Sequence, residues 1–290
     1  MKGPWLGAER GYLADWVTQR WVRATGRRVR LEEAPWLGGP CGSPRGIGRG
    51  FFEDLAEREG LEVVEEPGRG LMHSFDAIGG KAFDPSAVDP AVVSFYENTS
   101  DYRLDAWSQW CGPFRPFGWL LGVIFSRRLQ QLNVPLTPLE TSRGLDSRVV
   151  CLVDPATGTV RHTGWVREVP ALERVVYVGD YSTCTIPGAR GPCVKVVFPL
   201  PNGSATVILR PEAGPDGSLL LHSSGRRFGD PGFYFVVRHR EQDEGWARYL
   251  PTLRELIHVY TEDGALHTDH LFRIWGLRYL QLHYRMTPVG

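Results

Sequence analysis

The sequence predicts an α+β protein whose C-terminal half is a strongly curved antiparallel β-sheet, barrel-like or wrapped around a helix, with N-terminal helices covering an opening. Two observations carry this prediction. Near residue 145 the texture changes from Gly/Pro-punctuated, helix-capable sequence to short β-branched and aromatic runs separated by turn residues, so regions 1–145 and 146–290 are read separately. A long antiparallel sheet must also protect its edges and bury one face, which favours closure or cover. With 290 residues, 42% of them hydrophobic and 23% charged, the chain can bury one large core or two modest ones.

In the first region, Ala8–Thr25 places Leu13, Trp16, Val17 and Trp21 at helical spacing and predicts an amphipathic helix. Residues Pro35–Gly50 are dense in glycine and proline and read as a loop, followed by a short helix at Phe51–Glu59. Pro90–Asn98 predicts another turn or two, and Phe117–Leu132 is the most apolar helix candidate.

The second region reads as a meander. Arg148–Asp154 and Thr159–Val169 flank a Pro-Ala-Thr-Gly turn, and Arg174–Ile186 and Cys193–Phe198 flank a Pro/Gly-rich loop. Ser204–Arg210, Ser218–Ser223 and Gly232–His239 follow. Trp246, Leu250, Leu253 and Ile257 then fall on one helical face, which predicts a helix near 244–257.

At the C-terminus, Asp263-Gly264 and Trp275-Gly276 are two-residue hairpin turns joining Ile257–Thr261, Leu266–Ile274 and Leu277–Met286. Pairing outward from Trp275-Gly276 sets Phe272 opposite Tyr279, His270 opposite Gln281 and Thr268 opposite His283. That face is free of charge apart from its imidazoles and is expected to point inward.

Two imidazoles beside a phenol suit proton transfer or carbonyl polarisation, so His270, His283 and Tyr279 are the candidate catalytic residues, with Gln281, Thr268 and Phe272 as ligand contacts. Residues 95–119 are rich in rings, and Tyr96, Tyr102, Trp107, Trp110 and Trp119 are expected to line a pocket for a bulky apolar ligand. The function expected is binding of such a molecule, extending to a cyclase or isomerase acting on a biosynthetic intermediate without a cofactor. A metal-dependent hydrolase or oxygenase using His258, His267 and Asp269, or a partner-binding module with an exposed Trp-rich surface, are the alternatives.

Zero net charge argues against a nucleic-acid partner. Arginine outnumbers lysine thirty to three, yet no motif singles out any one arginine. Cys41, Cys111, Cys151, Cys184 and Cys193 form an odd set without CxxC spacing, which fits a reducing compartment rather than a disulfide framework. Trp119–Phe125, the longest apolar stretch, is far shorter than the ~20 residues a membrane span needs, and the first residues lack a signal peptide's apolar segment. A cytoplasmic protein with no membrane partner is therefore expected.

Overall fold

The computed structural model describes residues 11–121, 126–132, 145–169, 174–239 and 244–289. Helices are α1 (Leu13–Thr25), α2 (Phe51–Glu59), α3 (Pro90–Glu97), α4 (Phe114–Leu121) and the single turn α5 (Arg127–Leu129). The strands of the first region are β1 (Arg27–Arg30), β2 (Glu62–Val64) and β3 (Tyr102–Trp110). Eleven more follow: β4 (Asp146–Val153), β5 (Val160–Val169), β6 (Arg174–Cys184), β7 (Cys193–Leu200), β8 (Gly203–Ala213), β9 (Leu219–Ser223), β10 (Gly232–Arg238), β11 (Glu244–Tyr249), β12 (Leu253–Glu262), β13 (Ala265–Ile274) and β14 (Leu277–Pro288). Positions 8–10 and 122–125 of the predicted helices lie outside the described residues.

The fold is mostly antiparallel sheet with few helices, as the turn chemistry predicted. Its main path runs β2-β4-β5-β6-β7-β8-β9-β12-β13-β14-β3, and β8 also pairs with β10, which leads to β11 and β1. The sheet is not closed by a ladder: β2 and β3 end the path, and a lone bridge between Leu104 and Leu145 is what links β3 towards β4. β1, β2 and β3, all from the first 145 residues, thus pair with β11, β4 and β14.

Residues 244–257 are not a helix. Gly245, Ala247 and Tyr249 are buried while Trp246 and Arg248 are half-exposed, a period of two, and β11 pairs with both β10 and β1. Pro251 separates it from β12, which lies between β9 and β13. The four apolar residues at helical spacing are outweighed by strand partners on both sides, which complete the backbone hydrogen bonds a helix would have made internally.

Helix α1 forms where its spacing predicted but turns the other way. Leu13, Val17 and Trp21 are exposed, whereas Asp15, Gln19 and Val22 are buried against the body of the protein. Asp15 pairs with Arg128, and Gln19 donates to the Pro201 carbonyl, so polar partnership orients this helix. Helix α2 packs Phe52 and Leu55 on one face of the sheet beside Val150, Leu152, Val166 and Val178. The larger cluster fills the opposite, concave face, where α3 and the inward residues of β3 to β14 meet.

Both C-terminal turns form as read: Glu262 pairs with Ala265 across Asp263-Gly264, and Ile274 with Leu277 across Trp275-Gly276. All four turn residues have positive φ, between 50° and 81°, as a type I′ turn demands. Two residues beyond the second turn the register shifts, so that Phe272 pairs with Leu280, His270 with Leu282 and Thr268 with Tyr284. Tyr279 is the extra residue of a β-bulge; its carbonyl accepts from the Cys111 N–H just past β3.

Candidate functional site

A cavity of about 270 Å³ lies against the concave face, near the lower end of the range typical of small-molecule pockets. Helix α3 supplies Phe95 and Tyr96, β5 Trp165 and Arg167, and β6 Tyr177 and Tyr181. β7 to β10 contribute an aliphatic and phenyl wall through Val194, Val196, Phe198, Leu209, Leu221 and Phe233. The C-terminal strands complete it with Glu255 and Ile257 of β12, Thr268, His270 and Phe272 of β13, and Tyr279, Leu282 and Tyr284 of β14. The period-two alternation of each strand sends these side chains to one face.

Of the sequence-predicted residues, His270, Tyr279, Thr268, Phe272, Tyr96 and Trp110 line this cavity. Gln281 and His283 do not. The bulge at Tyr279 displaces the pairing by one position, and a one-residue displacement sends every later side chain of β14 to the other face. Leu282 and Tyr284 point inward in their place, and His283 lies half-exposed, its Nδ1 2.8 Å from Asp269 Oδ1 and its ring against Trp107. Trp107 and Trp119 are 44% and 52% exposed, so neither is cavity wall. Tyr102 packs edge-on to Phe95 and bonds the Ser94 hydroxyl, behind the lining rather than in it.

The polar minority of the cavity is small and specific. His270 Nε2 stands 3.4 Å from Glu255 Oε2 but has no hydrogen bond, its ring tilted against Phe272 at 4.0 Å between centroids. Burial, reinforced by the Glu255 charge, pushes the Tyr279 phenol well above its ordinary range and keeps it an O–H donor. Burial raises Tyr177 and Tyr284 as well, against the opposing pull of Arg167, and Tyr181 more strongly still. Thr268 Oγ1 makes a long contact of 3.5 Å to Met286 Sδ.

Sequence reasoning passed over Glu255 and Arg167. Glu255 sat inside the predicted helix, where strand alternation from Ile257 and Val259 was the signal that placed it inward. Arg167 is 4% exposed, with its guanidinium 3.5 Å over the Trp165 ring and 4.7 Å from that of Tyr284.

On the outer face of β12 to β14, His258, Tyr260, His267 and His283 form a stacked column, with successive centroids 4.7, 5.7 and 5.4 Å apart. The Tyr260 ring separates His258 from His267, and among the described residues no three His, Cys, Asp or Glu side chains converge as metal ligands.

No protein-family model matches the chain, and no solved structure matches it. It is 28% identical over 223 residues to a Bacillus subtilis (strain 168) protein named "Uncharacterized membrane protein YndJ". The match covers 76% of this chain and 38% of that relative, so the chain spans well under half of its length. No helix among the described residues is long and apolar enough to cross a membrane, which leaves strands unaddressed. A relative bearing the name of a membrane protein overturns the expectation of a cytoplasmic protein with no membrane partner, an expectation that rested on the lack of a long apolar run.

Proposed function

We propose that the concave face binds a bulky, largely apolar small molecule, the open sheet curling round it as a barrel-like wall and α3 covering one side. The observation that carries this reading is the cavity's composition: aromatic and aliphatic side chains make up most of the wall, and a few buried polar groups converge on it. His270 beside Glu255, with the un-ionised Tyr279 phenol in the same lining, supplies the groups a cofactor-free isomerase or cyclase would use, an imidazole to accept a proton and an O–H to polarise a carbonyl.

The test is a pair of measurements on purified protein. Native mass spectrometry should detect a co-purified apolar molecule, or isothermal titration should show that a neutral compound such as 2-naphthamide binds. Leu221→Trp, which fills the cavity from a fully buried position, should abolish that binding. Binding unchanged in Leu221→Trp, or no binding by either measurement, overturns the proposal.

A further inference from the structure

We infer that Arg167 is the anion-binding residue of this cavity, and that the ligand is an apolar molecule carrying a carboxylate or an equivalent anionic oxygen group; the inference rests on the proposed ligand-binding reading. A guanidinium stays charged at any physiological pH, so a buried arginine is expected to sit on a carboxylate. Arg167 is 4% exposed and lines the cavity, yet among the described residues no Asp or Glu lies within ion-pair distance of it, and its Nε has no hydrogen-bond partner. Its neighbours are rings: Trp165 under its face, Tyr177 at 5.2 Å, and Tyr284 at 4.7 Å, whose phenol oxygen also accepts a hydrogen bond from the guanidinium.

Stacking on Trp165 recovers part of the cost of burying the charge and holds the planar group still. It occupies a face of the guanidinium, whereas a carboxylate binds in the plane, along the N–H fork. The cavity's own carboxylate, Glu255, stands instead beside His270 at 3.4 Å. A ligand with an anionic head on Arg167 would therefore complete the one charged group of the wall that no protein anion neutralises among the described residues. At ~30 Å³ per water, 270 Å³ is the space of about nine water molecules, which points to a ligand on the order of ten non-hydrogen atoms in its buried part.

The test compares two probes of the same shape, 2-naphthoate and its neutral amide, by isothermal titration. Wild-type protein should bind the carboxylate at least tenfold more tightly, and Arg167→Met should bring the ratio to about one while leaving amide affinity within a fewfold. In wild-type protein the Arg167 Nε–H resonance should move downfield with naphthoate and stay with the amide, a readout that holds even if Arg167→Met fails to fold. Equal binding of both probes by the wild type, or a preference that survives in Arg167→Met, would overturn the role of Arg167 and leave the cavity reading standing. Failure of both probes to bind would overturn the cavity reading and this inference with it.

Discussion

Gln131 is a single buried side chain that substitutes for a rung of the sheet, and replacing it should be costly. The β6–β7 ladder begins at Asp180 and Val197, which leaves Val178 and Pro199 beyond its first rung. The Gln131 amide fills the gap: Nε2 donates to the Val178 carbonyl at 2.9 Å and to the Pro199 carbonyl at 3.1 Å, and Oε1 accepts from the Val178 N–H at 2.9 Å. Gln131 is 1% exposed and Val178 wholly buried. Gln131→Met keeps the shape and strips three fully buried backbone groups, and the part-buried Leu132 N–H, of their side-chain partner. At about 1–2 kcal/mol for each unsatisfied group the loss is about 3–6 kcal/mol, and the easier burial of a thioether returns about 1–2, for a net cost of about 2–4 kcal/mol. That is a large share of the ~5–15 kcal/mol by which domains are stable. Urea unfolding followed by tryptophan fluorescence, with m held in common, measures it. Gln131→Glu should cost more, because it retains the acceptor for Val178 N–H but aims a carboxylate at two carbonyls. A cost below about 1 kcal/mol for Gln131→Met, or a smaller cost for Gln131→Glu, would refute the rung argument.

Three further outcomes are expected. A Cβ on Gly164 would lie 2.3–2.5 Å from the buried Phe52 ring, so Gly164→Ala should destabilise by about 1–3 kcal/mol in urea unfolding, and Phe52→Leu in the same chain should return part of that. His270→Phe should weaken binding of a cavity ligand by tenfold or more, whereas His283→Phe, on the outer face, should leave it within twofold; equal effects would place the bulge wrongly. For His162, burial lowers the pKa, but its contacts with Asp180 and Glu59, each at 3.3 Å, outweigh burial and raise it. The stabilisation is thus fully present below the unfolded value of about 6.5 and fades as pH rises through the raised folded value, so the cost of His162→Gln should be greater at pH 5 than at pH 9. An equal cost at both pH values would sink it.

Much of the sheet was legible in the sequence because its signals are local. Turn pairs such as Asp263-Gly264 force positive φ at adjacent residues, and alternation along β10 needs just one buried face, so strand limits from Arg148 to His239 fall within a few residues of those read. The inward placement of Ile257, Val259, Thr268 and His270 follows from the same logic.

What failed had a non-local cause. Residues 244–257 carry a period that suits a helix, and strand pairing with β1, β9, β10 and β13 decided against it. The bulge at Tyr279 depends on how β14 meets both β13 and β3, the latter through Trp110 and Leu280, 170 positions apart, and that one residue exchanged His283 and Gln281 for Leu282 and Tyr284 on the inner face. Arg167 is one arginine among thirty in the sequence; its want of a carboxylate exists only once β5 and β6 meet β14 across the cavity. Sequence by itself determined that this chain builds a turned antiparallel sheet with one greasy face, since torsions and alternation are properties of neighbouring residues. Tertiary structure alone decided which polar groups that face keeps, since register and charge neutralisation depend on strands brought together from distant parts of the chain.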